Sequence, residues 1–218
     1  MSNQIQKLKG LLRKTKFTSM LMGCPYPASR WNRAVKRTIH KLGAEAKILD
    51  LGSGTDRRAP NVITLEIEAG SNVDVIGDGH QLPFHDNVFD AIISEAVLEH
   101  VLEPQRCVSE AHRVLKHSGL VYSETPFMQQ VHMKQYDFTR FTHLGHRRLF
   151  RYFEEISSGP VCGPGMALAW SYAYFLKSFV SSPIMSHILT VFAYMTSFFF
   201  KYFDYYLIDK PGSYDAAS

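Results

Sequence analysis

Four apolar segments of this chain end in residues that suit a polar, partly cationic ligand, and a fifth is followed by residues able to move a proton. Ile48-Leu49-Asp50-Leu51 runs into Gly52-Ser53-Gly54. Glycines there let backbone N–H groups approach a ligand, and the Asp50 carboxylate can hold a cationic amine. The second segment, residues 62–67, carries Glu66, which can accept both hydrogens of a vicinal diol such as that of ribose. After the third, residues 73–76, comes Asp78-Gly79-His80-Gln81-Leu82. Asp78 can accept from an exocyclic amine such as that of adenine, and Leu82 can pack on a flat base. The fourth, residues 89–94, leads into Ser94-Glu95-Ala96-Val97-Leu98-Glu99-His100, a wall for the same crevice. Beyond the fifth, residues 120–123, lie His132, Asp137 and Arg140. With His100 they are candidates for proton handling beside a reacting group. Each has a plainer alternative: a tight turn, a solvated strand-end acid, or an Asp137–Arg140 ion pair bracing its loop.

Holding five segment ends together requires a sheet. Short apolar runs alternating with turn and helix signals predict a parallel, doubly wound α/β sheet, which binds ligands beyond the carboxyl ends of its strands. Pro104 opens a helix through Lys116, with Gly119 just beyond it. Thr142 is placed to cap a helix to about Arg151, and residues 153–158 suggest a sixth strand. Ahead of the sheet, residues 5–16 suggest a basic helix, and Cys24-Pro25-Tyr26-Pro27 breaks the chain. Ser29 then starts a helix with Trp31, Ala34, Val35, Thr38, Ile39 and Leu42 on one face, closed by Gly43. The chain thus divides into a basic helical arm (1–43), an α/β domain (44–165) and an aromatic-rich helical appendage (166–218).

Composition narrows the function classes. Cys24, Cys107 and Cys162 are too few and too far apart for a disulfide framework or a zinc ribbon, and they fit a reducing compartment. Among the histidines, His132, His143 and His146 lack a nearby carboxylate pair, so no metal is expected. Arg57 stands where a dinucleotide-binding loop would want a third glycine. Residues 1–47 hold 11 Lys and Arg against one acid, Glu45, whereas the remainder holds 13 basic and 19 acidic residues. The apolar residues near the start are interrupted by Lys7, Lys9, Arg13 and Lys14, so no secretory leader is expected and a cytoplasmic location is. Between Lys177 and Lys201, 23 residues carry no formal charge. Pro183 divides them into a helical pair. On the second helix His187, Thr190, Tyr194, Ser197, Lys201 and Asp204 form one stripe, with Ile184, Ile188, Val191, Met195, Phe199 and Phe203 opposite. Such helices pack on the domain or lie on a membrane surface. With the basic arm they would suit an anionic inner-membrane face, and two copies could also pair through them.

The motifs together resemble a class I S-adenosylmethionine-dependent methyltransferase of the type 11 branch. The resemblance rests on residues 48–54, Gly77-Asp78-Gly79 with Leu82-Pro83-Phe84, Phe89-Asp90-Ala91-Ile92-Ile93-Ser94, Val97-Leu98-Glu99-His100-Val101 and residues 110–119, within about 47–126. It implies a Rossmann-like fold and S-adenosylmethionine as cofactor. By that analogy Gly52 and Gly54 line the methionine moiety, Glu66 takes the ribose and Asp78 the adenine amine. Asp50, Ser53, Gly79, His80, Leu82, Ser94 and Glu95 complete the cofactor set. The acceptor expected is a small molecule, lipid-linked or a surface-glycan intermediate. The alternative is a non-catalytic cofactor-binding or membrane-associated interaction module. Nucleic acid is disfavoured as substrate, because Ser94-Glu95-Ala96-Val97 replaces the Asn-Pro-Pro-Tyr type of motif. Three departures stand out: the short connection after Thr55, Asp56 in place of a glycine often found there, and no evident seventh strand.

Overall fold

The computed structural model describes residues 29–54, 57–132 and 135–216. The expected helix at 5–16, the break at Pro25 and Pro27, and Thr55 and Asp56 lie outside these residues. Two units are distinguished, one containing residues 30–127 with 131–158, the other residues 128–130 with 159–216.

The first unit is built on five parallel strands: β1 (Ile48–Leu51), β2 (Val62–Glu66), β3 (Val75–Ile76), β4 (Phe89–Glu95) and β5 (Leu115–Glu124). Their spatial order is β3-β2-β1-β4-β5, so the winding direction reverses between β1 and β4. Aliphatic residues alternate between the faces. Ile48, Val62, Ala91 and Ile93 pack under Val35, Ile39 and Leu42 of α1 (Ser29–Leu42). Leu49, Leu51, Leu65 and Ile92 pack under Ala111 and Val114 of α2 (Pro104–Val114). A sheet covered on both sides needs the continuous apolar runs seen in this sequence. Gly43, at φ 81°, closes α1 by donating to the Ile39 carbonyl.

Several boundaries differ from the sequence expectation. Helix α2 stops at Val114, because Leu115 is already paired with Phe89 in the sheet. Lys116 through Gly119 therefore belong to β5, where Ser118 takes φ 65° and the register shifts between Phe89 and Ala91. Strand β3 is only two residues long. Asp74 instead accepts from the Thr64 N–H at 2.9 Å and pairs with Arg57. Residues 153–158 form no strand. Phe153 stacks on Phe150 and His112, while Glu155 binds Arg147 and Ser158, so local side-chain contacts replace a ladder. The helix after Thr142, α3 (His143–Leu149), is capped as expected: the Thr142 hydroxyl accepts from the Gly145 N–H.

The second unit comprises α4 (Pro164–Lys177), α5 (Pro183–Ser197), α6 (Phe200–Leu207) and α7 (Ser213–Ala216). The expected second helix is two, bent by 47° between α5 and α6. Its polarity is also reversed from Ser197 onward, although His187 at the start of the stripe is exposed. Ser197, Lys201 and Asp204 of the polar stripe are buried, whereas Ile184, Ile188, Met195, Phe199 and Phe203 are exposed. The reason lies at the start of α4, whose free N–H groups need acceptors. Asp204 supplies both oxygens, accepting from Gly165 at 2.7 Å and Met166 at 2.9 Å. Gly165 permits the approach, since a Cβ there would lie 2.2 Å from the Phe200 carbonyl oxygen. Among the described residues no single helix is long and apolar enough to cross a membrane.

Candidate functional site

The carboxyl ends of β1 and β4 flank the reversal point, where an open α/β sheet forms its crevice. Gly52 leaves β1 at φ 70°, and a Cβ there would fall 2.4 Å from the Val97 side chain. Only glycine meets both demands. Gly54 also has positive φ, 64°, but faces open space, with nothing within 4 Å of a Cβ. Its N–H donates to the Glu66 carboxylate at 2.5 Å, tying the end of β2 to the loop after β1. Glu66 pairs in register with Ile76, and the Gly77 N–H donates to the Glu66 carbonyl, so Asp78 follows directly beside it. Asp78 accepts from the His80 backbone at 2.9 Å and contacts the His80 ring at 2.6 Å. That backbone bond is the main reason its carboxyl lies below the usual range. Leu82 is buried, and Gly79 sits against Cys107 and Leu51.

Asp50 already has a partner within the chain. Arg58 donates through Nε to Asp50 Oδ2 at 2.7 Å and pairs through its other arm with Glu95. Burial raises Asp50, partly offset by Arg58. It raises Glu95 to about 7 for the same reason. Sequence reasoning missed Arg58, because nothing periodic links it to a carboxylate eight positions earlier. Around this bridge the Ser53 hydroxyl, the Ser94 hydroxyl and Glu95 Oε1 are buried without a hydrogen-bond partner. Buried polar atoms are rarely left so unless a ligand or water completes them. Orphaned acceptors on both sides of the reversal point, a diol-type acceptor at Glu66 and the open space at Gly54 match the polar parts of S-adenosylmethionine.

A second cluster gathers the remaining candidates. His132 Nε2 lies 3.1 Å from His100 Nε2, and His132 Nδ1 lies 3.4 Å from Asp137 Oδ2. Arg140 binds Asp137 through both arms, at 2.7 Å for Nη2, and depresses its pKa strongly. The Asp137–Arg140 pair thus braces the loop and touches the His132 imidazole at once. The loop is pinned by Phe138, whose N–H donates to the Glu99 carbonyl at 2.8 Å. His100 Nδ1 faces the Tyr136 carbonyl at 2.5 Å, and burial lowers its pKa. The residue that sequence reasoning passed over is Glu99. Its side chain is 0 % exposed, neither oxygen accepts a hydrogen bond from another residue, and burial raises its pKa to about 7. The signal was its place directly before His100 within an apolar run. His143 and His146 stand apart on α3, where His146 contacts Ser123.

Residues 49–123 match the family described as methyltransferase domain. Demethylmenaquinone methyltransferase of Thermotoga maritima is 29% identical over 110 residues, covering 42% of this chain and 48% of the relative. The enzyme of the same name from Renibacterium salmoninarum is 31% identical over 113 residues, covering 44% and 47%. The chain therefore spans about half the length of these curated relatives. Among solved structures, the cyclase SpnF superposes with a TM-score of 0.51 at 17% identity, covering 81% of this chain and 76% of that one. The MccD protein gives 0.50 at 13% identity, covering 80% and 91%. These likenesses show the fold, a Rossmann-like α/β sheet.

Proposed function

We propose that this protein is an S-adenosylmethionine-dependent methyltransferase acting on a small-molecule acceptor at a membrane surface, a reading supported by the match of residues 49–123 to the methyltransferase-domain family. The observation that carries the cofactor assignment is the set of unpartnered oxygens on Ser53, Ser94 and Glu95 across the reversal point. Gly52, Ser53 and Gly54 would hold the methionine end, with Asp50 and Glu95 facing its amine in competition with Arg58. Glu66 would take the ribose diol, and Asp78, with Gly79, His80 and Leu82, the adenine. S-adenosylmethionine, when bound, supplies an electrophilic methyl group on a sulfonium that departs as a neutral thioether.

The chain's own residues must orient the acceptor and manage its proton. His100 Nδ1–H donates to the Tyr136 carbonyl, which makes Nε2, 3.1 Å from His132 Nε2, the accepting nitrogen of the pair. His132 and Asp137 stand behind it, and Arg140 keeps Asp137 ionised. A hydroxyl acceptor that took the place of His132 at His100 Nε2 would pass its proton to that nitrogen as the new bond to carbon forms.

The lipid-linked acceptor is favoured by the outward apolar face of α5 and α6. Ile184 is 74% and Met195 56% exposed, a density of exposed large apolar side chains that ordinary surfaces avoid. The basic excess of residues 1–47 would add attraction to anionic lipid. The names of two relatives also specify a small-molecule acceptor, demethylmenaquinone. Calorimetric titration with S-adenosylhomocysteine tests the core of the reading. Glu66→Ala and Asp78→Ala should each weaken binding by about 1–3 kcal/mol, and wild-type affinity in both variants would overturn it. Tight binding with no turnover on any acceptor would favour a binding module.

A further inference from the structure

Glu99, His100 and His132 present one ligand atom each, all within 4.8 Å of one another. We propose that they form a site for a divalent transition-metal ion of the zinc class, with an open position that takes an oxygen of the acceptor. The inference deepens the methyltransferase reading by assigning the acceptor to the hydroxyl class.

The distances fit. Glu99 Oε1 lies 3.5 Å from His100 Nε2 and 4.0 Å from His132 Nε2, and the two nitrogens are 3.1 Å apart. Ligand atoms at about 2.05 Å from a tetrahedral zinc ion are separated by about 3.3 Å, so a cation could settle within this triangle after small movements. Two imidazoles and one carboxylate are the donor set of several catalytic zinc sites, which keep a fourth position for water or substrate. A carboxylate buried at 0 % exposure with no hydrogen bond from another residue to either oxygen is unfavourable alone, and a cation or a proton relieves it.

The outer partners are also in place. The Tyr136 carbonyl can only accept, so it fixes the proton of neutral His100 on Nδ1 and leaves Nε2 to bind a metal. His132 Nδ1 lies between Asp137 Oδ2 at 3.4 Å and Arg140 Nη2 at 3.5 Å. Without metal, His132 Nε2–H donates to His100. With metal bound at Nε2, the His132 proton moves to Nδ1 and faces the Asp137 carboxylate. A hydroxyl in the open position would be acidified by the ion and lose its proton to solvent, presenting an oxygen nucleophile. The metal then replaces the imidazole pair as the means of activation.

The test is binding of the metal alone to chelator-treated full-length protein, without cofactor or acceptor. Calorimetry with Zn2+, Co2+ and Mg2+ should give one site per chain for the first two and none for Mg2+, which prefers oxygen ligands. Bound Co2+ should show the visible bands of a tetrahedral nitrogen–oxygen site. Glu99→Gln and His132→Ala should abolish the Co2+ spectrum, and Asp137→Asn should weaken affinity about tenfold or more. His112→Ala, away from the cluster, should change nothing. Circular dichroism separates lost binding from lost folding. If Glu99→Gln folds and binds Zn2+ like wild type, or if wild type binds none, the site is refuted. S-adenosylhomocysteine affinity, measured on the same metal-free protein, decides the cofactor reading separately.

Discussion

Arg58 joins a buried and a largely buried carboxylate from different strands, lying 2.7 Å from Asp50 at the end of β1 while pairing with Glu95 at the end of β4. A guanidinium thus stands where a cationic amine would be attracted, across the reversal point of the sheet. Removing it leaves two acids without a counter-charge, which typically destabilises by about 3–5 kcal/mol. Arg58→Met should therefore lower the melting temperature. It should also free both acids for the amine of the cofactor, so S-adenosylhomocysteine should raise the melting temperature of the variant more than that of wild type. Equal ligand shifts in thermal unfolding would show that Arg58 does not share its partners with the ligand.

The same bridge sets a pH dependence. Glu95 is raised to about 7 mainly by burial, with Arg58 opposing and Glu124 adding to the rise. A carboxyl raised in the folded state contributes stability below its unfolded pKa of about 4.5, and that contribution fades as pH climbs through about 7. Relative to Glu95→Gln, wild type should lose stability between these values and run parallel to it above. Denaturant midpoints of the two proteins across this window check the sign. A gap that is flat with pH would contradict the burial argument.

The two glycines of the β1 loop should separate fold from function. Gly52→Ala meets both a left-handed backbone and a contact at 2.4 Å with Val97, so it should cost more stability than Gly54→Ala. Gly54→Ala meets only the backbone penalty, about 1–2 kcal/mol, and projects its methyl into open space. It should remain folded and lose S-adenosylhomocysteine affinity at least as severely as Glu66→Ala. Chemical unfolding paired with calorimetry distinguishes the two effects.

The sheet was legible because runs such as Ile48–Leu51 are buried on both faces, and a run buried on both sides has no polar interruption to misread. The turns after β1, β2 and β3 were legible because glycine and acid recur at strand ends. Arg58 and Glu99 were not. Their environments are made by contacts across 37 residues, to Glu95, and by the return of the loop through Phe138. Nor could a helical stripe reveal which side faces inward. On α5 and α6 the spacing separates polar from apolar positions, but the choice was made by the N–H groups of Gly165 and Met166, which draw Asp204 inside.

That inversion gives a surface prediction. Ile188 is 54% exposed on α5 and belongs to the same outward row as Ile184 and Met195. Ile188→Lys should leave the fold intact, since more than half of the side chain is exposed and substitutions at surface positions usually fall within about 0.5 kcal/mol. If the row rests on lipid, flotation with vesicles containing phosphatidylglycerol should show wild type bound and the variant largely released. Raising salt should weaken the wild-type interaction only in part, because screening removes the contribution of the basic residues and leaves apolar insertion. Asp204→Ala should behave oppositely, lowering the melting temperature by stripping acceptors from α4 while leaving the outward row unchanged. If Ile188→Lys floats with vesicles as well as wild type does, the apolar row is not the lipid contact.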